Sequence, residues 1–183
     1  MDQNGGFDQD DYQFRQGHLQ CAHQYCNCEG LKMFAIVRLR GELNLRPGIK
    51  STLAMLHINR GNHCIVVKED AHYRGMIQKV KDYVAWGKID DDTLALLLEK
   101  RGRLSANRRL TEQFLKENTS FGSFQELASA VTSGRASLKD LEIKPIFRLH
   151  PARKGLKTIK KTAQQGGDLG FRTDLADLIK RMR

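Results

Sequence analysis

A run of positive side chains near the C-terminus is the part of this sequence best suited to binding chemistry. Residues 144–167 contain seven lysines and arginines and no aspartate or glutamate. The seven cations are Lys144, Arg148, Arg153, Lys154, Lys157, Lys160 and Lys161. A solvated helix face usually mixes both signs, because unlike charges three and four residues apart stabilise it. A run of one sign favours a polyanionic partner, and nucleic acid releases condensed counterions when lysine and arginine bind to it.

The alternative interpretation of this run is a disordered basic tail. A glycine-dense turn, residues 166–172, follows the run, and helix-like sequence follows the turn. More low-complexity sequence would be typical of a tail. The observed order therefore makes a disordered tail the weaker interpretation.

Two shorter basic clusters lie earlier in the chain. Lys100-Arg101-Gly102-Arg103 follows one predicted helix, and Asn107-Arg108-Arg109 precedes the next. Loops can reach into grooves, and glycine lets the backbone approach phosphates closely. Trp86 and Tyr83 could stack on bases, although such aromatic residues are more often buried in a core. The many basic loop residues and few exposed aromatics favour recognition of folded RNA by its shape and its phosphates.

Composition supports a polyanionic partner. The chain has 183 residues and a formal net charge of +10, but residues 1–32 carry −3, so residues 33–183 carry +13. Such a cationic body indicates nucleic acid or an anionic membrane. Membrane insertion is the weaker interpretation, because apolar runs such as Leu94 to Leu98 reach only five residues and a span needs about 20. The acidic N-terminus lacks an apolar signal core, which predicts an intracellular, reducing location with free thiols.

The N-terminal 32 residues contain a cluster of soft candidate metal ligands. Cys21, His23, Cys26 and Cys28 are four soft ligands within eight residues and could hold zinc. Their spacing matches no common zinc pattern, and a second, distant pair that would close a loop is missing. We therefore predict no metal site and no cofactor. Residues 1–32 are either a flexible leader or sequence upstream of the biological start at Met33, where the composition changes; we favour the second.

Evidence for catalysis in the sequence is poor. His57, His63 and His72 have no nearby nucleophile or carboxylate pair that would form a triad. Asp90-Asp91-Asp92 could suggest magnesium, but acids ahead of a leucine run are typical of a helix N-terminus. The glycine-rich segments match neither a P-loop nor a dinucleotide-binding fingerprint. An RNA-processing enzyme and a zinc-dependent regulator are therefore weaker hypotheses than a non-enzymatic RNA-binding protein.

The apolar periodicity predicts a small α+β core in residues 33–90. Strands are expected near 34–40, 64–67 and 83–89, with a helix after Pro47 and another after Asp70. This β-α-β-α-β order predicts a three-stranded antiparallel, ferredoxin-like sheet with both helices on one face. The other face would be open. Arg38 and Arg40 share one side of the first strand, so we expect them on that open face.

A mainly helical, basic extension is predicted for residues 91–183. Helices are expected from Asp91 or Asp92 to Gly102, from 110 to 118, from Ser123 to Gly134, and after Thr173. A second capping-box pattern at residues 137–140 predicts another helix start. Residues 143–149 are expected to be extended. The predicted organisation is therefore a leader, 1–32, a core, 33–90, and this extension.

A series of motifs in residues 33–183 resembles one family from end to end. The motifs are Val37-Arg38-x-Arg40-Gly41, Ala85-Trp86-Gly87, Lys100-Arg101-Gly102, Pro145-x-Phe147-x-Leu149, Pro151-x-Arg153-x-Gly155-x-Lys157, Gly166-Gly167-Asp168-x-Gly170-x-Arg172 and Ile179-x-Arg181-Met182. Each motif alone is weak, but their shared order is specific. Together they resemble the archaeal and eukaryotic form of the large-subunit ribosomal protein L-thirty, called L-seven in eukaryotes.

The resemblance implies a structural component of the large ribosomal (50S) subunit, in the cytoplasm, with ribosomal RNA and other large-subunit proteins as partners. It implies no catalytic role, no cofactor, no small-molecule substrate and no membrane. Positive side chains in or beside the motifs are the expected RNA contacts, and two glycines are expected to allow close backbone approach. These residues are Arg38, Arg40, Arg46, Lys50, Arg101, Arg103, Arg108, Arg153, Lys154, Lys157, Arg172, Gly166 and Gly167.

Overall fold

A single sheet, whose central strands are antiparallel, forms the framework of the protein. A computed structural model describes residues 33–183. Strand β1 (Met33–Arg38) lies at the centre, between β2 (His63–Lys68) and β3 (Val84–Lys88), and pairs antiparallel with both. Strand β4 (Ile146–Arg148) pairs antiparallel with β2, and β5 (Gly170–Phe171) pairs parallel with β3. The resulting order is β4-β2-β1-β3-β5.

The sheet has five strands, so the prediction of three strands is wrong. The central β2-β1-β3 arrangement agrees with the prediction, but residues 91–183 add a strand at each edge. These edge strands have three and two residues. Strands this short carry too few residues for a period of two to be visible in the sequence.

One face of the sheet is covered by the two helices that connect the central strands, α1 (Pro47–Met55) and α2 (Ala71–Val80). The alternation of β1 places Phe34 and Ile36 on this face, within an apolar cluster. The helices contribute their buried stripes to that cluster. The contributing helix side chains are Leu53, Ile77 and Val80.

The opposite face is covered too, which contradicts the predicted open face. Ala35 and Val37 point to this side and are fully buried in a second, larger cluster. Its helices come from the C-terminal half of the chain. They are α3 (Asp91–Arg101), α4 (Glu112–Asn118), α5 (Phe124–Thr132) and α6 (Leu175–Met182). These helices stabilise the fold, because exposing the apolar side of β1 to water would lose the free energy gained by burying it.

Local chemistry explains where the predicted helix boundaries hold and where they fail. Ser123 accepts a hydrogen bond from the Glu126 backbone N–H, and α5 begins as the capping box predicts. Helix α1, expected after Pro47, ends at Met55, because the chain turns at His57 with φ of 57°. The second capping-box pattern, 137–140, forms turns and no helix, so that prediction is wrong.

The last strand can approach the sheet closely because β3 contains a glycine at the contact. A Cβ atom on Gly87 would lie 2.2 Å from the backbone oxygen of Arg172. The Arg172 backbone N–H also donates to the Trp86 carbonyl at 2.8 Å. Ala85-Trp86-Gly87 therefore joins the end of the basic C-terminal segment to the central sheet.

Candidate nucleic-acid interface

The first two basic clusters form the two arms of one loop at the end of α3. Arg103 and Arg109 form an antiparallel bridge, and the Leu104 backbone N–H donates to the Arg108 carbonyl at 3.0 Å. Asn107 takes a left-handed conformation, φ 64°, at the turn between the arms. Clusters that are separate in the sequence therefore lie side by side.

The third basic segment reaches the same place by docking on the end of α6. The His150 backbone N–H donates to the Met182 carbonyl at 2.8 Å. The Arg153 backbone N–H donates to the Arg181 carbonyl at 3.0 Å, and Arg181 Nε donates back to the Arg153 carbonyl at 3.1 Å. This exchange fixes the start of the basic run against the folded body and argues against a free tail.

The three segments together line a shallow cleft of about 380 Å³, which we call the C-terminal cleft. Its lining residues are Lys100, Arg101, Arg109, His150, Arg153 and Arg183. None of these side chains is acidic, so their positive potentials add. Arg101 Nε is buried in the cleft wall and has no hydrogen-bond partner among residues 33–183. Such a site is suited to phosphate oxygens, which accept charge-assisted hydrogen bonds from guanidinium groups.

A second basic cleft, of about 370 Å³, lies where the loop after β1 meets the basic C-terminal segment. We call it the loop cleft; Arg40, Arg46 and Lys160 provide its positive charge. The Arg40 guanidinium carbon lies 5.0 Å from the centroid of the Tyr83 ring, and its Nη1 donates to the Asp82 carbonyl at 3.2 Å. The loop cleft therefore combines two cations from the core with one from the C-terminal half.

Residues 153–172 form the connection between the two clefts, and a buried carboxylate holds this connection in shape. Asp168 is 1% exposed, and its Oδ2 accepts the Lys157 backbone N–H at 2.5 Å. Its Oδ1 accepts a hydrogen bond from Arg172 Nη1 within an ion pair. One aspartate thus ties the middle of the basic segment to its end, and Arg172 has an internal partner.

The two glycines of this connection have structural roles. Gly166 has φ of 81°, which lies in the left-handed region that favours glycine. Gly167 is buried, and a Cβ atom there would lie 2.0 Å from the Lys161 carbonyl oxygen. These constraints account for both glycines without an RNA contact; their predicted close approach to RNA stays a prediction.

Replacing the buried carboxylate should loosen the basic segment. We expect Asp168→Ala to lower the free energy of unfolding by about 2–4 kcal/mol, because it leaves a backbone donor and a half-buried guanidinium without their acceptor. Urea unfolding measures this loss. Limited proteolysis should also cut the variant within residues 153–167, whereas the control Asp140→Ala, exposed and outside any helix, should resist; equal stability of the two variants would contradict the structural role.

The predicted contact residues differ in exposure. Arg46, Lys50, Arg108, Arg153, Lys154 and Lys157 are exposed, whereas Arg40, Arg101, Arg103 and Arg172 are half-buried. Of these ten, Arg101 and Arg153 line the C-terminal cleft, and Arg40 and Arg46 line the loop cleft. The predicted contact set omitted five basic residues that also line the clefts. These are Lys100, Arg109, His150, Lys160 and Arg183.

Arg38 requires a correction. It is 1% exposed, not on an open sheet face, and its guanidinium donates to backbone carbonyls. Nη1 donates to Ile58 at 3.0 Å and also to Asn59, while Nη2 donates to Gly41 at 2.9 Å. Burial lowers the pKa of this guanidinium, and Glu42 acts in the opposite direction. Arg38 therefore ties loops together inside the protein, which removes it from the candidate interface.

The sequence patterns that suggested a metal site either have a structural role or lie outside the described residues. No group of three or more histidine, cysteine, aspartate or glutamate side chains within 33–183 is placed to hold a metal ion. Cys64 is buried, which raises the pKa of its thiol to about 12 and keeps it protonated. Asp90 occupies the N-cap position of α3, with Asp91 and Asp92 in its first turn, as predicted. The cysteine-rich pattern with Cys21 and His23 lies outside the described residues.

An α+β fold whose two basic clefts are linked by a basic segment is typical of a nucleic-acid-binding protein. None of the helices in 33–183 is long and apolar enough to cross a membrane. Comparison with known families gives a specific match: residues 34–84 fit the family described as Ribosomal protein L30p/L7e.

Curated relatives extend this match well beyond the central strands. A protein from Methanothrix thermoacetophila is 61% identical over 151 residues, covering 82% of this chain and all of the relative. Proteins from Methanocella arvoryzae and Archaeoglobus fulgidus are 52% and 50% identical over 153 residues, again covering 82% of this chain and all of each relative. All three are named Large ribosomal subunit protein uL30.

The chain belongs to the L30p/L7e family of ribosomal proteins. The family resemblance inferred from the ordered motifs is confirmed. Membership also makes this chain a structural protein and not an enzyme.

Proposed function

We propose that this chain is a constituent of the large ribosomal subunit that binds large-subunit ribosomal RNA through the two basic clefts and the segment between them. Binding there supports subunit assembly and translation. The observation that carries the proposal is the convergence of three separate basic segments on the C-terminal cleft, with no acidic side chain in its lining. Family membership makes ribosomal RNA the expected polyanion.

The two ends of one basic segment line different clefts, so the proposed RNA contact has two parts. Arg153 lies in the C-terminal cleft and Lys160 in the loop cleft, with Lys157 between them in the chain. Lys154 and Lys157 are exposed on this connection. A rigid protein with phosphate-binding groups at two places can hold two RNA segments in a fixed relation, because both contacts must form together.

The contact is expected to read phosphates and RNA shape more than base sequence. Arginine and lysine provide five of the six residues that line the C-terminal cleft and three of the eight that line the loop cleft, where Asp82 is the one acid. Such cations position a protein on RNA without reading base edges. Other proteins of the large subunit are expected neighbours, and the cytoplasm is the expected compartment. Arg46 and Lys50, exposed at the start of α1, would add phosphate contacts beside the loop cleft.

Salt dependence of RNA binding tests the proposal directly. If about six to ten phosphates are contacted, the logarithm of the association constant should fall with the logarithm of salt concentration at a slope of about −5 to −9. The measurement is equilibrium binding of the full chain to protein-free large-subunit ribosomal RNA over a salt series. An affinity for this RNA that does not change with salt would contradict a phosphate-based interface.

A further inference from the structure

A hollow beside the edge strand β5 belongs to neither basic cleft. We call it the aromatic hollow; its lining residues are Phe34, Glu69, Arg74, Gln78, Trp86, Lys88 and Phe171. Its three aromatic rings form a column that leads from the core to the surface, in which the Trp86 ring contacts the other two. The Trp86 ring centroid lies 5.4 Å from that of Phe34 and 5.0 Å from that of Phe171, both in edge-to-face geometry. Phe171, at the outer end, is 47% exposed.

The backbone holds the outer ring in place. Phe171 pairs with Trp86 in the parallel β3–β5 ladder, and the next residue donates its N–H to the Trp86 carbonyl. Gly170 precedes it with φ of 84°, a conformation that favours glycine. An exposed ring fixed in this way loses little conformational freedom on binding, which favours stacking of an unpaired base.

Polar groups around the Phe171 ring are suited to a base amino group and to a phosphate. Glu69 Oε1 accepts a hydrogen bond from Arg74 Nη2, but Oε2 is buried and has no hydrogen-bond partner among residues 33–183. A buried acceptor without a donor is unfavourable, and the amino group of a base would supply that donor. Lys88 is exposed at the hollow and provides a cation for the phosphate.

We infer that the aromatic hollow binds one unpaired adenine or guanine nucleotide of RNA. The base stacks on Phe171, its amino group donates to Glu69 Oε2, and Lys88 with Arg74 faces its phosphate. A purine is favoured because it offers a larger stacking surface than a pyrimidine. Uracil also lacks the amino group. This inference rests on the proposed RNA-binding function and adds an unpaired nucleotide to its phosphate contacts.

The single tryptophan of the chain, Trp86, allows a direct test with the full-length protein. Two RNA duplexes of equal length serve as probes, one fully paired and one with a single bulged adenosine. We expect the bulged duplex to bind at least about fivefold more tightly, since stacking of one base on an aromatic side chain is a substantial free-energy contribution. Only the bulged duplex should change Trp86 fluorescence through the contact with Phe171.

Two variants separate the parts of the site. Phe171→Leu keeps an apolar contact with Trp86 and removes the aromatic ring, so both duplexes should bind it equally. Replacing the bulged adenosine by purine riboside, which lacks the amino group, should weaken binding to the unsubstituted protein by about fivefold. The same replacement should change nothing in Glu69→Gln, whose amide can place a donor where the carboxylate oxygen accepts.

The outcomes distinguish the two proposals. Equal binding of both duplexes to the unsubstituted protein, with the same Trp86 fluorescence, would overturn the nucleotide site and leave the basic clefts as the interface. That result is also expected if the aromatic hollow contacts a protein neighbour. Failure of both duplexes to bind would contradict the proposed function, and the nucleotide site with it.

Discussion

Removing three cations from the C-terminal cleft, in the variant Lys100→Ala, Arg109→Ala, Arg153→Ala, should weaken binding to large-subunit ribosomal RNA by about 100-fold near 0.15 M salt. Each phosphate contact contributes about 0.9 to the salt slope on duplex nucleic acid, so the slope should become shallower by about 2.7. Equilibrium binding over a salt series gives both quantities. The loss should be large because one residue comes from each of the three segments that converge on this cleft.

The three substitutions are not expected to unfold the protein. All three side chains are exposed, and among the described residues only Lys100 has an ion-pair partner, the exposed neighbour Glu99 at 2.5 Å. Exposed pairs of this kind contribute little to stability. Thermal unfolding should therefore be nearly unchanged, and the lost affinity would report on the interface itself.

A matched control removes the same net charge elsewhere. Lys79, Lys116 and Lys139 are exposed and line neither basic cleft. Their triple alanine variant should keep nearly all of the RNA affinity, apart from a small uniform loss of long-range attraction. If the control loses as much affinity as the cleft variant, the interface is a diffuse effect of net charge and the C-terminal cleft is not its centre.

The central fold could be predicted from the sequence because its signals are local. The alternation in β1 and the proline after Arg46 mark elements whose boundaries depend on nearby residues. Strand β5 carries no such signal, since Gly170 and Phe171 pair with β3 only because Gly87 lets that segment approach closely. Long-range contacts of this kind cannot be read from local periodicity.

The sequence identifies the basic segments, but it does not show which of them lie together in the fold. Charge runs identify Arg101, Arg108 and Arg153 as cations on loops. Nothing in the spacing indicates that Arg183 lies beside Lys100, because hydrogen bonds between residues 150–153 and α6 create that proximity. The column of aromatic rings could not be predicted either, since its outer ring, Phe171, belongs to a two-residue strand.

Arg38 shows why a charge pattern alone does not define an interface. Its place in the Val37-Arg38-x-Arg40-Gly41 motif predicts a contact equal to that of Arg40. The strand alternation places both on the side of Phe34 and Ile36, but the loops around β1 close over Arg38 and leave Arg40 half-exposed. The same residue type thus stabilises the fold at one position and lines the loop cleft two residues later.

Replacing Arg38 by methionine should destabilise the protein by about 3–5 kcal/mol, with a fall in Tm of about 10 °C. The guanidinium satisfies carbonyls in two loops, at Arg40 and Gly41 after β1 and at Ile58 and Asn59 after α1. Methionine fills similar space but leaves these buried acceptors without donors. Urea and thermal unfolding measure the loss, and Arg40→Met, with one carbonyl partner for its side chain, should lose about 1 kcal/mol.

Arg38→Lys separates a structural role from an RNA contact. Lysine keeps the positive charge but cannot reproduce the planar fork that reaches two loops, so most of the stability loss should remain. At a temperature where the variant is folded, its RNA affinity and salt slope should equal those of the unsubstituted protein. Normal stability of Arg38→Met together with a shallower salt slope would instead place the guanidinium on RNA. Because the Arg38 side chain is 1% exposed, we expect unchanged RNA affinity and an unchanged salt slope.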